Sequence, residues 1–257
     1  MKIATWNVNS LRVRLPQVLD WLARETPDVL CLQETKVPDE EFPLEALRTA
    51  GYTAAYSGQR TYNGVATLTR VAVSDAQMAL PGTDDPQKRF LAVTVGAVRV
   101  INLYVPNGEA VGSDKYAYKL GWLKTLTTCL NEELKRHPRM VVLGDFNIAP
   151  EARDVHDPKR WEAKVLCSEP ERTAFQALIG AGLEDVFRRF EQPEKSFTWW
   201  DYRLNGFIRN WGLRIDHILC SPALALDCGA CRIDVDPRRA ERPSDHAPVI
   251  AEFSSSL

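Results

Sequence analysis

The 257-residue chain lacks the basic excess of a general nucleic-acid binder. Thirty-two Lys and Arg stand against 34 Asp and Glu, giving a net charge of −2 and a pI of about 6.1. Any grip on phosphate must come from a local patch or from a metal ion. No apolar run reaches membrane-spanning length, which argues against a helical membrane protein. Met1-Lys2-Ile3-Ala4-Thr5-Trp6 enters a strand pattern directly, without the charged and apolar stretches of a secretory signal. The expected compartment is therefore cytoplasmic. Repeats, low-complexity tracts and Gly/Ser linkers are also missing, so one domain over 1–257 is expected. Cysteine is present but unpatterned: positions 31, 129, 167, 220, 228 and 231 read as buried free thiols. Cys228-Gly229-Ala230-Cys231 has C-x-x-C spacing, but no second pair or nearby His completes a zinc set. On a regular strand its two sulfurs would face opposite sides.

What is there is an ordinary globular balance, 45% apolar and 26% charged, with core-forming segments throughout. Strand patterns cover Lys2 to Asn9, Asp28 to Glu34, Gly64 to Val71, Phe90 to Val95 and Val98 to Tyr104, the last two joined at Gly96-Ala97 as a hairpin. Helical patterns cover Leu15 to Arg24, with Pro16 in the first turn, Glu40 to Thr49, and Ser113 to Lys135. Ser168-Glu169-Pro170-Glu171 is a capping box opening a helix to about Ile179. Late strands are Arg214 to Cys220, Gly229 to Val235 and Ala247 to Phe253, and long polar loops fall at 106–113, 149–167 and 200–212. The alternation predicts an α/β fold, and its hairpins exclude a purely parallel sheet.

The most informative segment is Met140-Val141-Val142-Leu143-Gly144-Asp145-Phe146-Asn147. A buried strand runs straight into a carboxylate and an amide, and strand alternation would point Asp145 and Asn147 to one side. A charge at such a mouth is costly unless a partner or metal is present. Gly-Asp-x-Asn is equally good turn chemistry. Four more segments end or begin strands in the same way: Trp6-Asn7-Val8-Asn9, Leu32-Gln33-Glu34, Asp216 within Arg214–Leu219, and Ser244-Asp245-His246-Ala247. Each has a bland reading, as a solvated strand end, a turn former or a core histidine. Together they place Asn, Asp, Glu and His at strand termini while the interiors stay apolar. Such hard oxygen donors suit magnesium (Mg2+) or manganese (Mn2+) better than a zinc cage. A histidine beside a carboxylate and another carboxylate for water make phosphodiester hydrolysis the best-fitting chemistry.

These blocks, with Leu32-Gln33-Glu34-Thr35-Lys36, Tyr104-Val105-Pro106-Asn107-Gly108, Trp199-Trp200-Asp201-Tyr202-Arg203 and Gly212-Leu213-Arg214-Ile215-Asp216, occur in order from Lys2 to Phe253. The chain thereby resembles the exonuclease III family of apurinic/apyrimidinic endonucleases, within the endonuclease/exonuclease/phosphatase superfamily. The resemblance implies a four-layer sandwich of two packed mixed β-sheets flanked by helices. It implies Glu34 as the principal metal carboxylate, with Asn7, Asn9 and Asp245 near the ion. Asp145 would handle the attacking water beside Asn147, and His246, oriented by Asp216, would contact the scissile phosphate. Tyr104 and Asn107 would position that phosphate. Trp199, Leu213 and Ile215 would line a pocket for a flipped abasic sugar. The implied partner is double-stranded DNA, at abasic sites and 3′ ends, met by a monomer without membrane attachment.

Basic residues near these blocks, among them Arg12, Lys36, Arg203, Arg209 and Arg214, are candidates to grip DNA backbone. Leu166 in the 149–167 loop raises a second expectation. If it projects into the lesion pocket, it excludes an internal abasic sugar and leaves 3′ ends accessible. Competing readings are a phosphoesterase acting on RNA or another phosphate ester, and a binding module with a decayed site.

Overall fold

The computed structural model describes residues 1–256. The chain runs β1 (Lys2–Asn7), α1 (Leu11–Glu25), β2 (Val29–Gln33), α2 (Leu44–Thr49), β3 (Thr53–Ser57), β4 (Val65–Thr69), β5 (Val73–Gln77), β6 (Phe90–Val95), β7 (Val98–Tyr104) and α3 (Asp114–Arg136). It continues through β8 (Met140–Asp145), α4 (Pro158–Trp161), α5 (Glu169–Gly180), β9 (Glu184–Asp185), β10 (Trp199–Trp200), β11 (Gly212–Leu213), β12 (Asp216–Cys220), α6 (Pro222–Ala225), β13 (Cys228–Ile233) and β14 (Val249–Phe253). Two six-stranded mixed sheets result, ordered β13-β14-β1-β2-β4-β3 and β5-β6-β7-β8-β12-β9.

Each sheet holds one parallel pair, β1/β2 in the first and β7/β8 in the second, among antiparallel neighbours. A parallel pair needs a crossover, which α1 and α3 supply. This topology decides where chemistry gathers. Asn7, Gln33, Tyr104 and Asp145 all close the carboxyl ends of parallel strands. The antiparallel β12 starts with Asp216 opposite Asp145, and β14 starts with Val249 opposite Thr5. The segment entering β14, which contains His246, therefore arrives at the same end.

Alternation builds the layers. Ile3, Val29, Val100, Val141 and Ile218 face the space between the sheets. Ala4, Trp6 and Leu30 face outward onto Val18, Trp21 and Leu22 of α1. Ile101, Val142 and Leu219 face outward onto Leu123, Leu126 and Leu130 of α3 and Phe175 and Leu178 of α5. The outcome is the expected four-layer sandwich. At the chemical end the inter-sheet layer turns polar. Asn102 donates to the carbonyls of Leu32 at 3.1 Å and Ala66 at 2.9 Å and accepts from Gln33 Nε2 at 2.7 Å. These bonds lock one sheet to the other just beneath the site.

Several boundaries differ from expectation. Helix α1 begins at Leu11, so Pro16 lies inside it rather than in its first turn. Asn9 and Ser10 have φ of 43° and 91°, which ends β1 at Asn7 and starts the helix early. The helix expected over Glu40 to Thr49 is broken by Pro43 into a short turn at Asp39–Glu41 and α2. The edge strands β3 and β5 carry no clear apolar alternation, which hid them. The C-x-x-C sulfurs do not diverge. A bulge between Cys228 and Ala230 shifts the register, so Cys228 and Cys231 both enter the inter-sheet core. All six cysteines are free and buried. No helix among the described residues is long and apolar enough to cross a membrane.

Candidate active site

The site is built on turns that the strand ends cannot make without cost. Gly144 has φ of 145°, and a Cβ there would lie 2.0 Å from the Leu103 carbonyl oxygen on the parallel neighbour. Only glycine permits that approach, and it fixes the depth of Asp145. Beyond Asp145 the chain leaves the strand at once, with Asn147 at φ 50°. Asp145 and Asn147 thus meet through a left-handed turn, not through strand alternation. The Asn147 N–H donates to Asp145 Oδ1 at 2.9 Å. Glu34 and Lys36, just past β2, also have positive φ, 50° and 53°. Left-handed backbone at non-glycine residues costs energy that the surroundings must offset.

These turns bring most of the expected side chains together. Asn7 Nδ2 donates to Glu34 Oε1 and to Asp145 Oδ2, both at 2.9 Å. Asn9 donates to Asp245 at 3.0 Å and accepts from Lys36 Nζ at 2.6 Å, and Lys36 pairs with Glu34 at 2.8 Å. Asn107 Nδ2 donates to Asn147 Oδ1 at 3.1 Å, and Asn147 Nδ2 to the Val105 carbonyl at 2.9 Å. His246 Nδ1 lies 2.9 Å from Asp216 Oδ2, and its Nε2 lies 3.8 Å from Asp145 Oδ2. Thr198 Oγ1 accepts from the backbone N–H groups of Ile215 and Asp216, which sets the Asp216 turn. Trp199 Nε1 donates to Asp245 at 2.9 Å.

The electrostatics divide the roles. Burial pushes the Asp145 carboxyl up to about 7; His246 opposes that rise, while Asp216 and Glu34 add to it. Burial disfavours the His246 imidazolium, but Asp216 and Asp145 outweigh it and raise its pKa to about 10. Burial also lifts the Tyr104 phenol well above its ordinary range, helped by Glu34 and Asp145, although Arg89 sits 4.6 Å over the ring. At neutral pH the site therefore offers a carboxylate with raised basicity, a charged imidazole and a neutral phenol donor.

The sign of the histidine effect is testable. Its folded pKa lies above the ordinary 6.5, so the pair stabilises fully below about 6.5 and that contribution is lost as pH rises through about 10. Asp216→Asn removes the charge that holds the proton. Turnover at pH 8 should fall about tenfold or more, and the alkaline limb of the pH–rate profile should move to lower pH. An unmoved alkaline limb would refute this role.

A cation fits the donor set. Glu34 and Asp145 share one amide and no nearer positive charge than Lys36 and His246, and burial has already raised the proton affinity of Asp145. Ligand atoms of Glu34, Asp145 and His246 lie within 4.8 Å of one another. A protonated imidazolium has no lone pair for a metal, so the two carboxylates are the better donors. Hard oxygens of this kind match Mg2+ or Mn2+. Asn7 turns its NH2 to both carboxylates, and its Oδ1 accepts from the Asn9 N–H at 2.9 Å. It acts here as a spacer between carboxylates.

Not every expected residue reaches the cluster. The Arg214 guanidinium is buried against Asp154 at 2.6 Å, Asp185 at 2.8 Å and His217 at 2.9 Å. The expected substrate contact by Arg214 is corrected: this side chain braces the floor and presents nothing to solvent. Arg12 is exposed and paired with Glu41 away from the cluster. Leu213 and Ile215 are buried with Val155 and Leu166, and Trp199 packs against them.

Two functional residues escaped sequence reasoning. Lys119 of α3 is fully buried and donates to the carbonyls of Asn107 at 3.1 Å and Asn147 at 2.6 Å, and to Glu171 of α5. Glu171 also accepts from the Leu166 N–H at 2.9 Å and the Ser168 N–H at 3.1 Å. One ion pair thus positions both asparagine loops and the Leu166 loop. The capping box signalled Glu171 only as a cap, and nothing local marked Lys119.

Comparison with known proteins shows the family and the fold. A model of the endonuclease/exonuclease/phosphatase family matches residues 4–246. The chain is 38% identical over 266 aligned residues to exodeoxyribonuclease III of Haemophilus influenzae, covering 98% of this chain and all of that protein. Among solved structures, a Neisseria 3′ phosphatase, NExo, bound to a product DNA hairpin superposes with TM-score 0.98 at 50% identity, covering 99% of this chain and 100% of that one. An AP endonuclease from Archaeoglobus fulgidus superposes with TM-score 0.95 at 40% identity and the same coverage.

Proposed function

The chain belongs to the endonuclease/exonuclease/phosphatase family, and from that premise we propose that it is a divalent-metal-dependent DNA-repair phosphodiesterase. It removes nucleotides and blocking phosphates from 3′ ends and cuts duplex DNA 5′ to abasic sites, in keeping with the named activities of its relatives. The observation that carries this reading is the convergence of Glu34, Asp145 and His246 within 4.8 Å, with Asp216 behind the imidazole.

The geometry supports the following roles. Asp145 accepts a proton from the water that attacks phosphorus, and its raised basicity at pH 7 suits that task. The Asn147 N–H fixes the orientation of the carboxylate. The His246 imidazolium, steadied by Asp216, faces the negative oxygens of the phosphate. Tyr104 and Asn107 donate to the same group from the end of β7 and the loop beyond it. Glu34, beside Asp145, would hold the Mg2+ or Mn2+ ion, which would supply positive charge to the phosphate. The P–O3′ bond breaks, leaving a 3′-hydroxyl and, on the departing side, a 5′-phosphate or, from a 3′-phosphate end, inorganic phosphate.

One observation favours a bias toward 3′ ends. Leu166 is 5% exposed and occupies the apolar space among Leu213, Ile215 and Val155 where an abasic sugar would sit. Labelled duplexes with an internal abasic site, a recessed 3′-hydroxyl and a 3′-phosphate, run side by side, test the whole reading. With Mg2+ both 3′ ends are processed faster than the internal site, and EDTA stops all three. Undiminished turnover in EDTA, or none on any duplex with Mg2+, overturns it.

A further inference from the structure

Beyond Trp199 the 149–167 and 200–212 loops enclose a groove that the catalytic roles leave unused. Its cavity of about 560 Å³ is lined by His156, Arg160, Trp161, Lys164, Trp199 and Trp211 among others. Trp199 also packs against the Leu166, Leu213 and Ile215 cluster, so one indole borders both the groove and that apolar wall. His156 lies nearly parallel to Trp211, 17° at 6.1 Å, and edge-on to Trp161 at 6.3 Å. Both indoles are only partly buried. An adjoining cavity of about 590 Å³ shares His156, Arg160 and Trp211 and adds Lys159, Lys195 and Arg209.

The charge here is one-sided. Lys159, Arg160, Lys164, Lys195 and Arg209 form no ion pair among the described residues. Arg203 is neutralised by Asp201, and Asp157 caps the Arg160 N–H. A chain of net charge −2 thus concentrates cations without carboxylate partners around two partly exposed indoles, with Arg209 4.5 Å over Trp211 and Lys164 6.0 Å from Trp161. Ordinary loop packing accounts for the His156–Trp211 contact but not for that concentration. Duplex DNA keeps its base faces stacked inside and offers such a groove only phosphates. Unpaired nucleotides offer both phosphates and free π-faces.

We propose that this groove binds an unpaired strand continuing 3′ from the nucleotide at the catalytic centre, with bases stacked on Trp161 and, in exchange for the Arg209 guanidinium, on Trp211, and phosphates against Arg160 and Lys164. The 3′ direction rests on the reading proposed above, in which the sugar 3′ to the scissile phosphate points toward the Leu213–Trp199 wall. Frayed or overhanging 3′ ends are then held in the groove while the phosphate at the base of the unpaired stretch is cut, and that stretch leaves as one fragment.

The test compares two DNA hairpins, one with a blunt 3′ end and one with a short unpaired 3′ tail, by fluorescence anisotropy in EDTA at fixed salt. The tail should tighten binding to the wild-type protein by about tenfold or more. Trp211→Ala should remove that gain and leave blunt-end affinity within about twofold. Arg160→Ala combined with Lys164→Ala, at exposed positions that leave the core intact, should do the same and also reduce the salt dependence of the tail's contribution. Equal wild-type affinity for both hairpins overturns the proposal, as does a tail gain that survives in both variants. Cleavage of the blunt hairpin with Mg2+ by the same preparations reads the catalytic assignment separately. Its failure sinks that assignment, while tail-dependent binding still decides the groove.

Discussion

Asp145→Asn should lower turnover on a recessed 3′ end by about 10³-fold, within the range for loss of a general base, while DNA affinity stays near wild type. The substitution keeps the side chain's volume and the possibility of accepting from the Asn147 N–H, but removes the proton acceptor. It also removes a buried charge, which gives the prediction a second readout. Burial raises the folded pKa of Asp145 from 3.8 to about 7, so the folded state holds this proton more tightly than the unfolded one. In the metal-free protein the contribution of Asp145 to stability therefore declines as pH rises from about 4 to about 7. Asn at this position has no such dependence. Urea unfolding of both proteins in EDTA should show the wild type losing stability relative to the variant across that window. Near-normal turnover by the variant would refute the assigned mechanism, and a flat stability difference would refute the burial argument.

The catalytic end was legible in the sequence for a topological reason. Each parallel strand ends in contiguous punctuation, Asn7 on β1, Glu34 after β2, Tyr104 on β7 and Asp145 on β8, so short segments exposed the pattern even without knowledge of the pairing. The α/β class followed from apolar strands alternating with amphipathic helices, whereas the sandwich was implied only by the family resemblance. What stayed hidden depended on contacts between distant segments. Lys119 looks like one more cation on a long helix until Glu171 and two loop carbonyls close around it. Arg214 stands in a motif beside Asp216, yet Asp154 and Asp185 draw it into the floor. Asn102 sits in an otherwise apolar strand because the opposite sheet supplies its partners. The C-x-x-C pair misled because a bulge changes strand parity, and a bulge leaves no local signature there.

Leu166→Gly should raise incision at an internal abasic site by on the order of 10²-fold, the upper part of what one apolar group decides in a pocket. Processing of a recessed 3′-hydroxyl should change by less than about threefold. Leu166 is buried among Leu213, Ile215 and Val155, with φ of 75°. Two effects on stability oppose each other. Removing a buried leucine side chain costs about 2–5 kcal/mol in a closed core, but this wall borders a cleft, where water refills the space at lower cost. A left-handed backbone strains leucine by about 1–2 kcal/mol, and glycine releases that strain. The Glu171 carboxylate still accepts the backbone N–H at position 166, so the loop keeps its anchor. A modest net loss of stability is expected, readable as a small drop in melting temperature. Leu166→Ala separates volume from backbone. If pocket volume governs selectivity, alanine gains incision in part despite retaining the strained φ. If the gain appears only with glycine, loop mobility governs instead, and the assignment of Leu166 as the steric block fails. It fails equally if the wild-type protein already incises the internal abasic duplex as fast as it trims 3′ ends.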